Sequence, residues 1–414
     1  MSEVIREKPA HAAMDQFRTE GTELVIGNIP ITRLAERVGQ TPFYAYDRAL
    51  LTRRVAELRS SLPSAIKIHY AMKANPMPAV VDHMATLVDG IDVASAKELK
   101  VALDSGTDPH EISFAGPGKR HEELRQAVAA GILINIESFR EVTELSAIRQ
   151  TTGWTARVAV RVNPDFELKS SGMKMGGGPK QFGVDAEQVP ALLAEIGRSG
   201  LAFEGFHLFA GSQNLRPESI VEAQRKCFDL AVQLSEHAPS PVKFLNLGGG
   251  FGIPYFPGEK RLDLTQIADN LSRIADEARK KLPKAEIVIE LGRYLVGEAG
   301  VYVCRILDRK ISRGHTFLVT DGGLHHHLSA SGNFGQVIRK NYPVAIADRM
   351  NTQSTETASV VGPLCTPLDV LADKMEFPDA QPGNLVAVFQ SGAYGATASP
   401  RGFLSHPDLV EILV

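Results

Sequence analysis

The segment IKIHYAMKANPMPAVVDHMATLVDGIDVASAKELKVALD, residues 66–104, holds two rounds of a single pattern. The β-branched and aromatic run IKIHY gives way to a Lys/Asn/Pro cluster. Residues follow whose apolar positions recur three and four apart, the spacing of one helix face. The run GIDVA then opens the same order again, with a Ser at the turn and the helix-spaced AKELKVALD behind it. Comparable strand-like runs stand at EISFA (111–115), ILINI (132–136), RVAVRV (157–162), FEGFHLF (203–209), KFLNL (243–247) and EIVIE (286–290), after a leading strand at Phe43–Tyr46. The spacing predicts helices over 49–62, 78–87, 96–104, 121–130, 139–150, 186–198, 217–237 and 264–282. Eight strand-helix units are the number that closes a (β/α)8 barrel. A doubly wound open sheet uses the same alphabet but rarely so many times in succession. The barrel is therefore expected over residues 36–300.

Beyond Gly300 the texture changes to alternating stretches such as VYVCRIL, TFLVTD, TASVVG and NLVAVFQ. They predict an antiparallel β domain over 301–414 that also takes in residues 1–35, where ELVIG reads as one more strand. The Gly-rich SGMKMGGGPK (171–180) reads as a mobile loop over the barrel mouth. At 414 residues the chain is long enough for such a pair of domains. With 45 Lys plus Arg against 48 Asp plus Glu, no excess of positive charge points to nucleic acid or an anionic bilayer. No apolar run approaches a membrane span, and the first residues show no secretory h-region. Cys227, Cys304 and Cys365 are odd in number and far apart, which fits free thiols in a cytoplasmic setting better than a disulfide framework.

In a (β/α)8 barrel, chemistry gathers just after each strand. Lys73 follows the first strand of the repeat, where a desolvated lysine forms a Schiff base with a carbonyl and a solvated one does nothing in particular. The seventh strand runs into NLGGGFG, where Gly248, Gly249 and Gly250 either converge their N–H groups on a phosphate or merely turn tightly. The sixth ends in FHLFAGSQN; His207 and Phe209 share a side there as a site pair or as core packing, with the Ser212 hydroxyl beyond them. The eighth gives IELGRYL, with Glu290 at the strand end and Arg293 on the next turn. The carboxylate either holds a ring nitrogen protonated or pairs with Arg293. A lysine for an aldehyde, glycines, a serine and an arginine for a phosphate, a carboxylate for a pyridinium and an aromatic for its face together make a constellation for pyridoxal 5'-phosphate.

YAMKANP, GIDVAS, FAGPGK, INIES, RVNP, HxxxGSQ, LGGGFG, the E-x-G-R turn, VVGPLC and SGAYG occur in the order found in the fold-type III pyridoxal-phosphate decarboxylases, and the chain resembles that family from about Val38 to its C-terminus. The resemblance implies that Lys73 carries the cofactor as a Schiff base and that Glu290 pairs with its ring nitrogen. It assigns the phosphate to Gly248–Gly250, Ser212, Gly292, Arg293 and Tyr394. Cys365 matches the cysteine that returns a proton to the α-carbon after CO2 leaves, reaching the site from the other subunit of a homodimer with shared active sites. Without the family, Cys365 would read as a small buried hydrophobe, like Cys227 and Cys304.

Three departures bear on the substrate. Phe209 stands where diaminopimelate-type relatives have a second histidine stacked on the ring, so stacking survives and an imidazole hydrogen bond does not; His207 keeps the earlier histidine position. In diamine-forming relatives an acid follows the cysteine, but CTPLD places Thr366 and Pro367 there, which disfavours a substrate with a distal cation. Asp369, three residues on, is the available substitute. DGGLHHHLSASGNFGQVIRKNYP (321–343) replaces a shorter segment, and His325, His326 and His327, pointing alternately if extended, suit a substrate or interface loop better than a metal. These features resemble a sub-branch that includes the decarboxylase of glutamyl carrier-protein thioesters in butirosin formation and exosortase-associated relatives. The expected activity is that of a carboxy-lyase acting on an amino acid, free or attached to an acyl carrier protein. The alternatives are diaminopimelate decarboxylation for lysine synthesis, a racemase of the same barrel class, and a catalytically inactive binding homologue.

Overall fold

The computed structural model describes residues 9–166, 173–174, 178–334 and 336–414. Half of SGMKMGGGPK, and with it the expected mobile loop, lies outside them; Met173–Lys174 pairs antiparallel with Gly211–Ser212. The chain divides into two compact units, one of Thr52–Gly252 with Leu262–Leu295, the other of Met1–Leu51 with Ile253–Arg261 and Val296–Val414.

The first unit is the barrel. Its strands are β1 (Ile66–Ala71), β2 (Gly90–Val93), β3 (Ile112–Phe114), β4 (Leu133–Ile136), β5 (Arg157–Asn163), β6 (Ala202–Leu208), β7 (Phe244–Gly249) and β8 (Glu286–Leu291). Each pairs in parallel with the next, and β8 pairs back onto β1, with Glu290 opposite His69, so the sheet closes without an edge. The helices follow from local chemistry. Ser95 caps Ala96–Asp104 by accepting the Glu98 N–H. His121–Ala130 stops at Gly131 in the left-handed region, φ 74°. Val189–Ser199 buries Val189, Leu192, Leu193 and Ile196, the stripe the spacing predicted.

The second unit is a β domain, and it departs from the expected form in two ways. Its strands are mixed rather than wholly antiparallel: His315–Thr320 runs parallel to Glu356–Val361, and Val410–Leu413 runs parallel to Phe43–Tyr46. The strand FYAY, inside the span expected for the barrel, is hydrogen-bonded between Gly300–Val303 and Val410–Leu413 instead. All four of its residues are buried, so the strand is covered on both faces, which a leading strand on the rim of a closed barrel is not. The N-terminal segment does join this unit, as a small sheet of its own whose Leu24 and Ile26 pack with Phe43, Val301, Val303 and Phe389. Leu24 N–H also donates to the Ala347 carbonyl at 2.7 Å.

Candidate active site

The barrel brings one set of the candidate residues together at the C-terminal ends of its strands. Lys73 sits exposed on the tight turn Met72–Ala74 directly after β1. That turn is braced from below: Tyr70 Oη donates to the Asn75 carbonyl at 2.7 Å, and Asn75 Oδ1 accepts the Met77 N–H at 3.1 Å. Pro78 then starts the next helix, where its missing N–H costs nothing. The Lys73 ammonium lies 5.6 Å from the centre of the Phe209 ring, the contact of a cation over an aromatic face.

Glu290, 5% exposed, points inward from the end of β8. His207 Nε2 approaches its Oε2 to 3.0 Å, and Asn246 Nδ2 donates to the same oxygen at 3.2 Å. Burial alone would raise the carboxyl's pKa, but His207, Lys73 and Arg161 outweigh it and hold the group well below the usual carboxylate range. Glu290 is thus an ionised carboxylate at neutral pH. It pairs with His207, and Arg293 begins the short helix Arg293–Val296.

The triple glycine is required by close approach. A Cβ on Gly249 would stand 2.0 Å from the Glu290 carbonyl oxygen, and one on Gly250 would stand 2.1 Å from that of Gly211. Gly248 and Gly250 also hold positive φ, 68° and 75°. The turn is drawn against the ends of β6 and β8, with Ser212 beside Gly250, and a Cβ on Gly292 would meet the Ala71 carbonyl at 2.9 Å. The Gly248 N–H is already given to Asn246 Oδ1 at 2.8 Å.

Two contributors escaped the sequence reading. Asn246 ties Glu290 to the glycine turn, and its signal was a lone amide in KFLNL, two residues before Gly248. Arg161 is buried on β5, 2.9 Å from Glu137 Oε1, with its guanidinium 4.9 Å from the centre of the Phe182 ring. Its trace was the charge inside RVAVRV.

The second unit holds the remaining candidates. Tyr394, half-buried, takes the left-handed region at φ 53°, a conformation that costs a non-glycine residue on the order of 1 kcal/mol or more. Cys365 is exposed, while Cys227 and Cys304 are buried with thiols raised by that burial, Cys227 to about 12. Thr366 is half-buried. Asp369 is 3% exposed and used internally: Oδ1 accepts the Leu324 N–H at 2.6 Å, and Oδ2 accepts the Leu364 N–H at 2.9 Å. The expected role as a stand-in counter-charge does not fit a carboxylate committed to two backbone amides. The three histidines are not extended either. His326 and His327 both donate N–H to the Gly323 carbonyl at 2.9 Å, which winds the segment into a turn and buries all three rings. Among the described residues no group of three or more His, Cys, Asp or Glu is placed to hold a metal ion.

A family model described as "Pyridoxal-dependent decarboxylase, pyridoxal binding domain" matches residues 48–297. The chain belongs to this family. The decarboxylase is 40% identical over 393 residues to L-glutamyl-[BtrI acyl-carrier protein] decarboxylase of Niallia circulans, a match covering 92% of this chain and 90% of that one. It is 32% identical to diaminopimelate decarboxylase of Aquifex aeolicus, covering 95% and 90%. The crystal structure of Helicobacter pylori diaminopimelate decarboxylase complexed with L-lysine superposes with a TM-score of 0.81 at 26% identity, covering 92% and 94%. Its cofactor is pyridoxal phosphate, and the rim fits that molecule. A glycine cradle that any Cβ would fill lies beside a hydroxyl, an ionised carboxylate is buried at the end of β8, and a lysine faces an aromatic ring.

Proposed function

We propose that this decarboxylase removes the α-carboxylate of an amino acid presented as an acyl-carrier-protein thioester, of the glutamyl class. When bound, pyridoxal phosphate supplies an electron sink for the pair left on the α-carbon as CO2 departs. Lys73 would hold its aldehyde, Phe209 would offer a face for its ring, and Glu290, kept ionised by His207, would hold a proton on the ring nitrogen. The cradle of Gly249 and Gly250 with Ser212, Gly292 and Arg293 takes the phosphate; Gly248 contributes shape, because its N–H is spent on Asn246. Tyr394 and Cys365 keep the parts their motifs imply, phosphate contact and proton return to the α-carbon. Cys365 is supplied by the second copy of a cytoplasmic homodimer; among the described residues no helix is long and apolar enough to cross a membrane.

The observation that carries the substrate reading is the state of Asp369. Thr366 and Pro367 follow the cysteine, and the Asp369 carboxylate has both oxygens committed to Leu324 and Leu364. A distal ammonium brought beside Cys365 would lose water without gaining a counter-charge, at a cost of several kcal/mol. A thioester has no such charge. The relative at 40% identity, whose name specifies a glutamyl carrier-protein substrate, supports the same reading. The test is CO2 release from a panel of free amino acids and their carrier-protein thioesters. Turnover of glutamyl carrier protein with none of free lysine, ornithine or diaminopimelate is expected. Turnover of free diaminopimelate with no response to any loaded carrier would overturn the reading.

A further inference from the structure

The opposite end of the barrel is open. A cavity of about 440 Å³ lies at the N-terminal ends of the strands, within the range of small-molecule sites and at a level where such barrels are ordinarily packed shut. Leu133, Phe244 and Val288 give it apolar walls. His69, 2% exposed, is set into it from β1. The His69 Nδ1 is 3.1 Å from Asp92 Oδ1, which also accepts the Ser113 hydroxyl at 2.6 Å. Among the described residues Nε2 has no hydrogen-bond partner, and the acid oxygen of Glu111 is 3.9 Å away. A buried ring nitrogen left in this state is costly unless something from outside meets it.

The charges around the cavity are unevenly answered. Glu111 and Glu286 both hold Lys67, at 2.7 and 2.8 Å, and Glu204 is shared between Arg157 and Lys243, at 3.5 and 3.8 Å. The acids are therefore matched within the protein. Lys284, exposed at the rim, has no ion pair among the described residues.

We infer that this cavity binds a small dicarboxylate, one carboxylate accepting from His69 Nε2 and the other meeting Lys284 at the rim. A water molecule would satisfy His69 alone, whereas a short chain between two anionic ends also covers the apolar walls. Burial works against a charged imidazole, but Asp92 and then Glu111 outweigh it and raise the His69 pKa, so Nε2 has a proton to give.

The probe is succinate, titrated into holoenzyme carrying ¹⁵N-labelled histidine. One equivalent is expected to bind per chain, shifting the His69 ring resonances and leaving the cofactor absorbance unchanged. Lys284→Glu, on the exposed rim, should weaken binding about tenfold, and His69→Gln should remove it. Succinate that perturbs the cofactor but not His69 has bound in the catalytic site, and that result overturns the inference. So does an affinity unchanged by Lys284→Glu, or no binding at all.

Discussion

Glu290 shows how a single side chain is set by its surroundings. Burial and ionisation oppose each other, and His207, Lys73 and Arg161 settle the contest for the charged form. Glu290→Gln keeps the shape and removes the charge, so the ring nitrogen loses its reason to stay protonated. The expected result is a fall in kcat of about two orders of magnitude, with the cofactor still bound by its phosphate and by Lys73, read by absorbance and single-turnover CO2 release. The glycine turn yields a cleaner comparison. Gly131 and Gly250 have nearly the same φ, 74° and 75°, but a Cβ meets nothing within 4 Å at Gly131 and a carbonyl oxygen at 2.1 Å at Gly250. Gly131→Ala should cost about 1 kcal/mol, the strain of the left-handed region alone. Gly250→Ala should cost appreciably more and release pyridoxal phosphate, measured by denaturant midpoints of both variants and by cofactor retention on desalting. Lys73, Glu290 and the glycines were legible in the sequence because each stands at a strand end where a rim residue must point into the mouth. Asn246 and Arg161 were not, since a polar residue inside a buried run shows no partner until strands distant in sequence are laid side by side.

At the level of elements, the barrel was readable because its strands and helices have different apolar periods, and the chain alternates between them eight times. The DGGLHHH turn was not, because its shape comes from remote residues. A Cβ on Gly322 would meet Tyr302 Oη at 2.0 Å, and one on Gly323 would meet the Asp369 carboxylate at 2.2 Å. His327 fits this packed turn as a neutral ring, with Nδ1 accepting the Ala330 N–H at 3.2 Å and Nε2 donating to Ser391 Oγ at 2.8 Å. Burial pushes His325 and His326 down to about 4 and His327 to about 3. In the unfolded chain the same groups take protons near their ordinary 6.5, so below that pH the unfolded state binds more protons and gains stability on the folded one. The native state should therefore keep the full contribution above about pH 6.5 and lose it progressively as pH falls toward 4, by several kcal/mol in all. Melting temperature between pH 8 and pH 5, compared with His327→Gln, checks this; the variant should start lower and decline less steeply on acidification.

For the whole molecule, the sequence located two domains but misplaced FYAY, because a strand's length and composition do not say which sheet will accept it. Its neighbours in space, Gly300–Val303 and Val410–Leu413, lie at the far end of the chain. The same separation bears on catalysis. Lys73 and Glu290 stand on the barrel unit, whereas Cys365 stands exposed in the β unit on a short segment held by Asp369. If each catalytic centre draws its lysine from one copy and its cysteine from the other, two defective variants should repair each other. On the proposed roles, Lys73→Ala should fail to hold the cofactor aldehyde. On the same roles, Cys365→Ala should bind cofactor and still release CO2 from the substrate, but return the proton to the wrong carbon and so give aldehyde in place of amine. Random reassociation of equal amounts makes half of the dimers mixed, each with one intact centre, so amine formation should recover to about a quarter of the native rate. Separate assays of each variant give the baseline. A mixture that forms no more amine than their average would place cysteine and lysine in the same copy, while a double variant carrying both substitutions in one chain, mixed with native protein, should retain one intact centre in each mixed dimer only if they are in fact drawn from the same chain.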